Sequence, residues 1–83
     1  MTTDNSFPTA AQSRAETIST CIYQLHLLCD KAMRDAISFG RFSCYVEIDD
    51  DLPDEVVDAI TSELHNKGYT INEDPYTGIE IQW

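Results

Sequence analysis

Glu47, Asp49, Asp50, Asp51, Asp54, Glu55 and Asp58 set seven carboxylates within twelve residues, with no base among them. This is the chain's one conspicuous chemical constellation. Carboxylates at such density suit either a hard cation or a basic macromolecular surface. A calcium loop needs oxygen ligands at alternate positions, a glycine at the sixth and a glutamate at the twelfth. Counted from Asp49, Asp51 supplies the second ligand, but Pro53 stands where the third belongs and Asp54 replaces the glycine. The pattern does not fit. Capping and dipole stabilisation at a helix start account for Asp51, Asp54 and Glu55. They leave Asp49, Asp50 and Asp58 unexplained. Unpaired carboxylates repel one another, so all seven are expected to contact a partner protein with a basic surface.

The other reactive side chains are sparse. Two histidines, His26 and His65, have no Ser, Cys or carboxylate partner in a motif, and catalysis needs a mutually oriented set. The glycines, Gly40, Gly68 and Gly78, are spaced as helix stops and a turn rather than as a phosphate loop. Three cysteines, an odd number, with no secretion signal at Met1 to Pro8, point to a reducing compartment and free thiols. Cys21, His26, Cys29 and Cys44 lack the CxxC or HxxxH spacing of a zinc site. The expectation is a non-enzymatic protein with no cofactor and no metal.

The elements that must position the acidic run follow from periodicity. Residues 1–8 carry no apolar period and read as a flexible tail before a single domain over 9–83. Thr9 with Gln12, or Ser13 with Glu16, forms a capping box. A helix then runs to Phe39, with Gly40 past its end. Ile18, Ile22, Leu25, Cys29, Ala32, Ala36 and Phe39 alternate spacings of four and three, and Cys21, Leu28, Met33 and Ile37 widen the stripe. At about 27–30 residues and about 40–45 Å, this helix outruns so small a domain. Its N-terminal third is expected to project. Ile18, Ile22 and Leu25 then become candidates for self-association into a homo-oligomer.

Phe42, Cys44, Val46 and Ile48 alternate with polar residues as a strand with one buried face. Asp51 is the expected N-cap of a second helix over 52–67, with Pro53 in its first turn and Val56, Val57, Ile60 and Leu64 buried. Asp51, Glu55 and Asp58, with Asp54, are expected on the face opposite Val56, Ile60 and Leu64. Glu63, Glu73, Asp74 and Glu80 are candidates for the same anionic surface. Tyr69 to Asp74 and Ile79 to Trp83 form a hairpin around turn residues 74–78. The order helix, strand, helix, strand, strand predicts a two-layer α+β domain with a three-stranded, mainly antiparallel sheet covered on one face. Ile79, Ile81 and Trp83 are the most apolar strand set. The last strand is therefore expected between the other two, with Trp83 in the core; the alternative keeps the first two strands adjacent and parallel through a right-handed crossover.

Composition bounds the function. Eighty-three residues, 42% hydrophobic and 24% charged, make one soluble domain with a modest core. No apolar run approaches the roughly 18 residues of a membrane span. Residues 1–46 balance four acids against four bases, so the net charge of −10 lies wholly in residues 47–83, with eleven acids and one base. Direct contact with nucleic acid or an anionic membrane is disfavoured. The same charge also serves solubility.

Ala36-x-x-x-Gly40, Leu52-Pro53, Ile60-x-x-x-Leu64-x-x-x-Gly68-Tyr69-x-Ile71 and Ile79-x-Ile81-x-Trp83 together resemble small, mostly uncharacterised proteins encoded by tailed bacteriophages. The likeness spans residues 36–83, and its motifs mark a fold rather than a catalytic site. It implies an αβαββ domain of phage origin, and the first reading is an accessory protein that binds another protein. Such a protein would act in the cytoplasm of the infected host cell, for example by blocking the nucleic-acid groove of a host or defence protein. The alternative it leaves open is a virion-associated or assembly protein packing through the long helix.

Overall fold

The computed structural model describes residues 7–74 and 77–83. Most of the expected tail, residues 1–6, and Pro75 and Tyr76 of the expected turn lie outside the described residues. The elements are α1 (Ala10–Ser38), β1 (Ser43–Glu47), α2 (Asp54–Asn66), β2 (Thr70–Asp74) and β3 (Gly78–Gln82). The strands order as β1-β3-β2, with both pairings antiparallel. The fold is the expected α+β arrangement with the last strand central.

Local chemistry sets the helix ends. The Thr9 side chain accepts from the Gln12 N–H at 3.1 Å, and Gln12 Oε1 accepts from the Thr9 N–H at 2.9 Å. That closes the capping box at the first of the two candidate sites. Both helices end in the same six-residue hydrogen-bond motif. After α1, Gly40 N–H bonds Ile37 C=O and Arg41 N–H bonds Ala36 C=O; after α2, Gly68 N–H bonds His65 C=O and Tyr69 N–H bonds Leu64 C=O. The motif needs a left-handed residue, and Gly40 (φ +72°) and Gly68 (φ +97°) supply it.

The core is aliphatic apart from one thiol. Leu25 and Cys29 from α1, Val46 from β1, Val56, Ile60 and Leu64 from α2, and Ile79 and Ile81 from β3 form one cluster. The helices run in the same direction, since Arg14 pairs with Glu55 near their starts and His26 lies 3.7 Å from Glu63 further along. At 29 residues, α1 is about 43 Å long. The molecule measures 58 × 25 × 21 Å. Ala10 to Thr17 are exposed throughout, so the first turns of α1 project past the core as its length implies.

Several expected core positions lie outside it. Phe42 precedes β1 and is 75% exposed, and Phe39, at the C-cap of α1, is 77% exposed. The turn between them carries both rings past the end of the sheet. Leu28 and Ile37 flank the α1 stripe on its exposed sides. Trp83 follows the last residue of β3 and is 37% exposed. Its N–H still bonds Phe42 C=O at 2.9 Å, but its ring meets Tyr69 edge-on at 6.0 Å rather than entering the core. Asp51 is not the cap of α2. Pro53 occupies the N-cap with φ −61° and ψ 145° and has no side-chain cap bond. A proline disfavours helical geometry in the residue before it, which keeps Leu52 out of the helix. Asp51 sits instead in a turn, where its N–H bonds Asp49 Oδ1 at 3.2 Å and Leu52 N–H bonds Asp49 C=O at 3.0 Å.

Gly78, at the start of the central strand, approaches β1 closely. A Cβ there would collide with the Val46 carbonyl oxygen and stand 2.9 Å from Glu47 Cα. These are backbone atoms and cannot swing aside. Gly78→Ala is expected to destabilise the fold by about 1–3 kcal/mol, the usual cost of overpacking. Urea unfolding measures this directly, and an unchanged midpoint would contradict the close approach.

Candidate partner-binding site

Three chain segments deliver carboxylates to one end of the sheet. The loop after β1 carries Asp49 and Asp50. The first turns of α2 carry Asp54 and Asp58, one helical turn apart and so on one face. β2 contributes Glu73, which pairs in register with Ile79 and so faces the helices. These five line a cleft of about 330 Å³. Ile48, Leu52, Val57 and Ile79 give it an apolar floor. Asp49, Asp50, Asp54 and Asp58 are exposed, and among the described residues none of the five carboxylates has a basic group within ion-pairing distance.

The remaining candidates separate from this cleft. Glu47 lines a different shallow groove beside β1, with Leu28, Lys31 and Tyr45. Glu55 is held by Arg14. Asp51 is exposed beside the cleft but does not line it. Glu63 pairs with Lys67 at 3.3 Å. Glu80 accepts hydrogen bonds from Asn72 at 3.3 Å and Gln82 at 3.0 Å. The side chain of Asp74 lies outside the described residues. The acidic surface is therefore narrower than the sequence implies, and of the further candidates Glu63, Glu73 and Glu80, Glu73 alone lines the cleft. Alternation with Tyr69 and Ile71 puts Glu73 on the helix side, but only the hairpin register brings it to α2.

Among the described residues, no three His, Cys, Asp or Glu side chains are grouped to hold a metal ion. A smaller cleft of about 190 Å³ between the helices includes His26, Asp30 and Glu63. Arg34 engages Asp30 at 2.9 Å and Lys67 engages Glu63, so these carboxylates are committed to neighbours.

The thiols belong to the core. Cys29 is buried, and Cys21 and Cys44 are half-buried. Desolvation, with Cys44 nearby as a smaller cause, pushes the Cys29 thiol from its ordinary 9.0 to about 11. Burial also raises Cys44. A raised thiol keeps its proton in the folded state while the unfolded chain loses it. The contribution to stability is therefore intact below pH 9.0 and is lost as the pH rises toward about 11. Cys29→Ala is expected to show a flatter decline of melting temperature over that interval. Parallel declines would place the titration elsewhere.

The self-association candidates divide. Leu25 is 2% exposed and fills the chain's own core, which removes it from any seam on the folded monomer. Ile18 and Ile22 are half-buried against that core. The exposed apolar side chains of α1 in this region are Tyr23, Leu27 and Leu28. No helix among the described residues is long and apolar enough to cross a membrane. In comparisons with known proteins, no family model, curated protein or solved structure matches the chain.

Proposed function

We propose that the protein is a non-enzymatic binding module whose acidic cleft captures a cationic surface of another protein. The observation that carries this reading is the convergence of five carboxylates, from three segments, on an apolar floor with no neutralising base among the described residues. Such a concave anionic site attracts Lys and Arg over distance and buries their aliphatic stems on contact. In the setting implied by the resemblance to tailed-phage proteins, the partner is a host or defence protein whose basic groove otherwise takes nucleic acid. The protein then acts in the cytoplasm of the infected cell.

The test is retention from host lysate on the immobilised protein and on its Asp49→Asn/Asp50→Asn/Asp58→Asn form. The reading expects nucleic-acid-binding proteins retained by the first, released by raised salt or added DNA, and not retained by the second. Equal retention by both forms would overturn it. A second reading, assembly through α1, draws on the exposed first turns of that helix and on Tyr23 and Leu27. An apolar helix seam is insensitive to salt, whereas electrostatic capture weakens steeply.

A further inference from the structure

We propose that a second copy of this chain is an occupant of the acidic cleft, docking through its Phe39–Phe42 turn. The inference rests on the reading of the cleft as a binding surface and names one partner for it.

Among the described residues, none of the buried ones is aromatic, and the two most exposed rings after Phe7 are Phe39 and Phe42. They bracket Gly40 and Arg41 at the end of α1. The Arg41 guanidinium lies 5.8 Å from the centre of the Phe39 ring. The turn is a fixed knob rather than a loose loop. The N–H groups of Phe39, Gly40 and Arg41 all bond back to α1 carbonyls, and a Cβ built on Gly40 meets nothing within 4 Å. A rigid, exposed pairing of aromatic rings with arginine has the composition of an interface anchor, and little ordering entropy is lost when it docks.

Knob and cleft match in two respects. The rings suit the floor of Ile48, Leu52, Val57 and Ile79, and the guanidinium suits the carboxylate rim. Arg14, Arg34 and Lys67 are held in ion pairs, whereas Arg41, like Lys31, has no carboxylate at ion-pairing distance among the described residues. The turn precedes β1 and the cleft follows it. Five strand residues, about 17 Å, separate them, so a chain does not reach its own cleft. Pairing is head to tail, between unlike patches, and it grows into rings or open chains rather than stopping at a symmetric dimer.

Complementary variants test this in sedimentation velocity runs at low salt, with folding verified by circular dichroism. The knob variant is Phe39→Ser/Arg41→Glu; the cleft variant is Asp50→Lys/Asp58→Lys, with Asp50→Asn/Asp58→Asn if the lysines disturb α2. The unmodified protein is expected to sediment faster as concentration rises and to slow with added salt. Each variant alone is expected to be monomeric, and an equimolar mixture to give a 1:1 dimer that grows no further. A monomeric unmodified protein, a mixture that stays monomeric, or a cleft variant that still self-associates would overturn the proposal. Hexalysine peptide separates the two levels. If the unmodified protein stays monomeric while hexalysine binds it and not the cleft variant, self-docking falls and partner capture stands; if it stays monomeric and hexalysine binds neither form, both fall.

Discussion

Ile81→Ala is expected to lower the unfolding free energy by about 2–5 kcal/mol, whereas Trp83→Ala should cost about 0.5–1.5 kcal/mol. Ile81 is fully buried on the central strand, between Cys44 of β1 and Ile71 of β2. Truncating it leaves a cavity bounded by both neighbours and the helices, which a packed interior cannot fill by collapse. Trp83 lies one residue beyond β3 and is 37% exposed, with an edge-on contact to Tyr69 as its aromatic partner. Its backbone bond to Phe42 survives substitution. A domain of this length has a total stability of roughly 4–12 kcal/mol, so the first change brings it near unfolding and the second does not. Urea unfolding of both variants decides the matter. Equal losses would place Trp83 in the core after all.

That contrast shows which parts of the fold are legible in the sequence. Glycine stops act through neighbouring backbone, so Gly40 and Gly68 mark the helix ends with little ambiguity, whereas the start of α1 is legible only as a choice between Thr9 and Ser13, whose side chains both suit a capping box. The paired Ile79 and Ile81 favour the last strand as the central one, because the central strand of a one-sided sheet carries the most apolar face, but the same pattern also suits the first two strands side by side, and the antiparallel register decides between them. Alternation also assigns a face, but it says nothing about how far the covering helices extend. Phe42 and Trp83 share the parity of Val46 and Ile81 yet lie where the sheet has ended. Asp51 departs from its expected role because a proline two residues on outweighs a good capping side chain.

The candidate site divides in the same way. Asp54 and Asp58 are legible as a pair, since helix spacing alone brings them together. Their association with Glu73 depends on the register of a hairpin, which composition does not encode. Glu47 and Glu55 are close in sequence to the cleft but turn away, one to a different groove and one to Arg14.

Neutralising Asp49, Asp50 and Asp58 to Asn removes three of the five carboxylates that line the cleft. It leaves Asp54 and Glu55 in the first turn of α2, where they favour the helix dipole. The Asp49→Asn change keeps a side-chain carbonyl oxygen to accept from Asp51 N–H. Folding is therefore expected to survive. Relief of repulsion changes stability by no more than about 0.5 kcal/mol, which for a domain of this size is a shift of up to about 4 °C. The large effect falls on binding. Loss of three attractive charges at a desolvating contact is expected to weaken a cationic ligand at least tenfold, about 1.4 kcal/mol. Because little charge then remains to be screened, affinity should also become less sensitive to salt.

The most direct measurement is hexalysine affinity by calorimetry at low and high salt, for the unmodified protein and the triple variant, with hexaglutamate as a control. Electrostatic capture by the cleft predicts tight, salt-sensitive binding by the unmodified protein, at least tenfold weaker binding with a shallow salt slope in the variant, and none of hexaglutamate by either. Equal affinities and equal salt slopes for the two proteins would contradict it and confine these carboxylates to a solvated face.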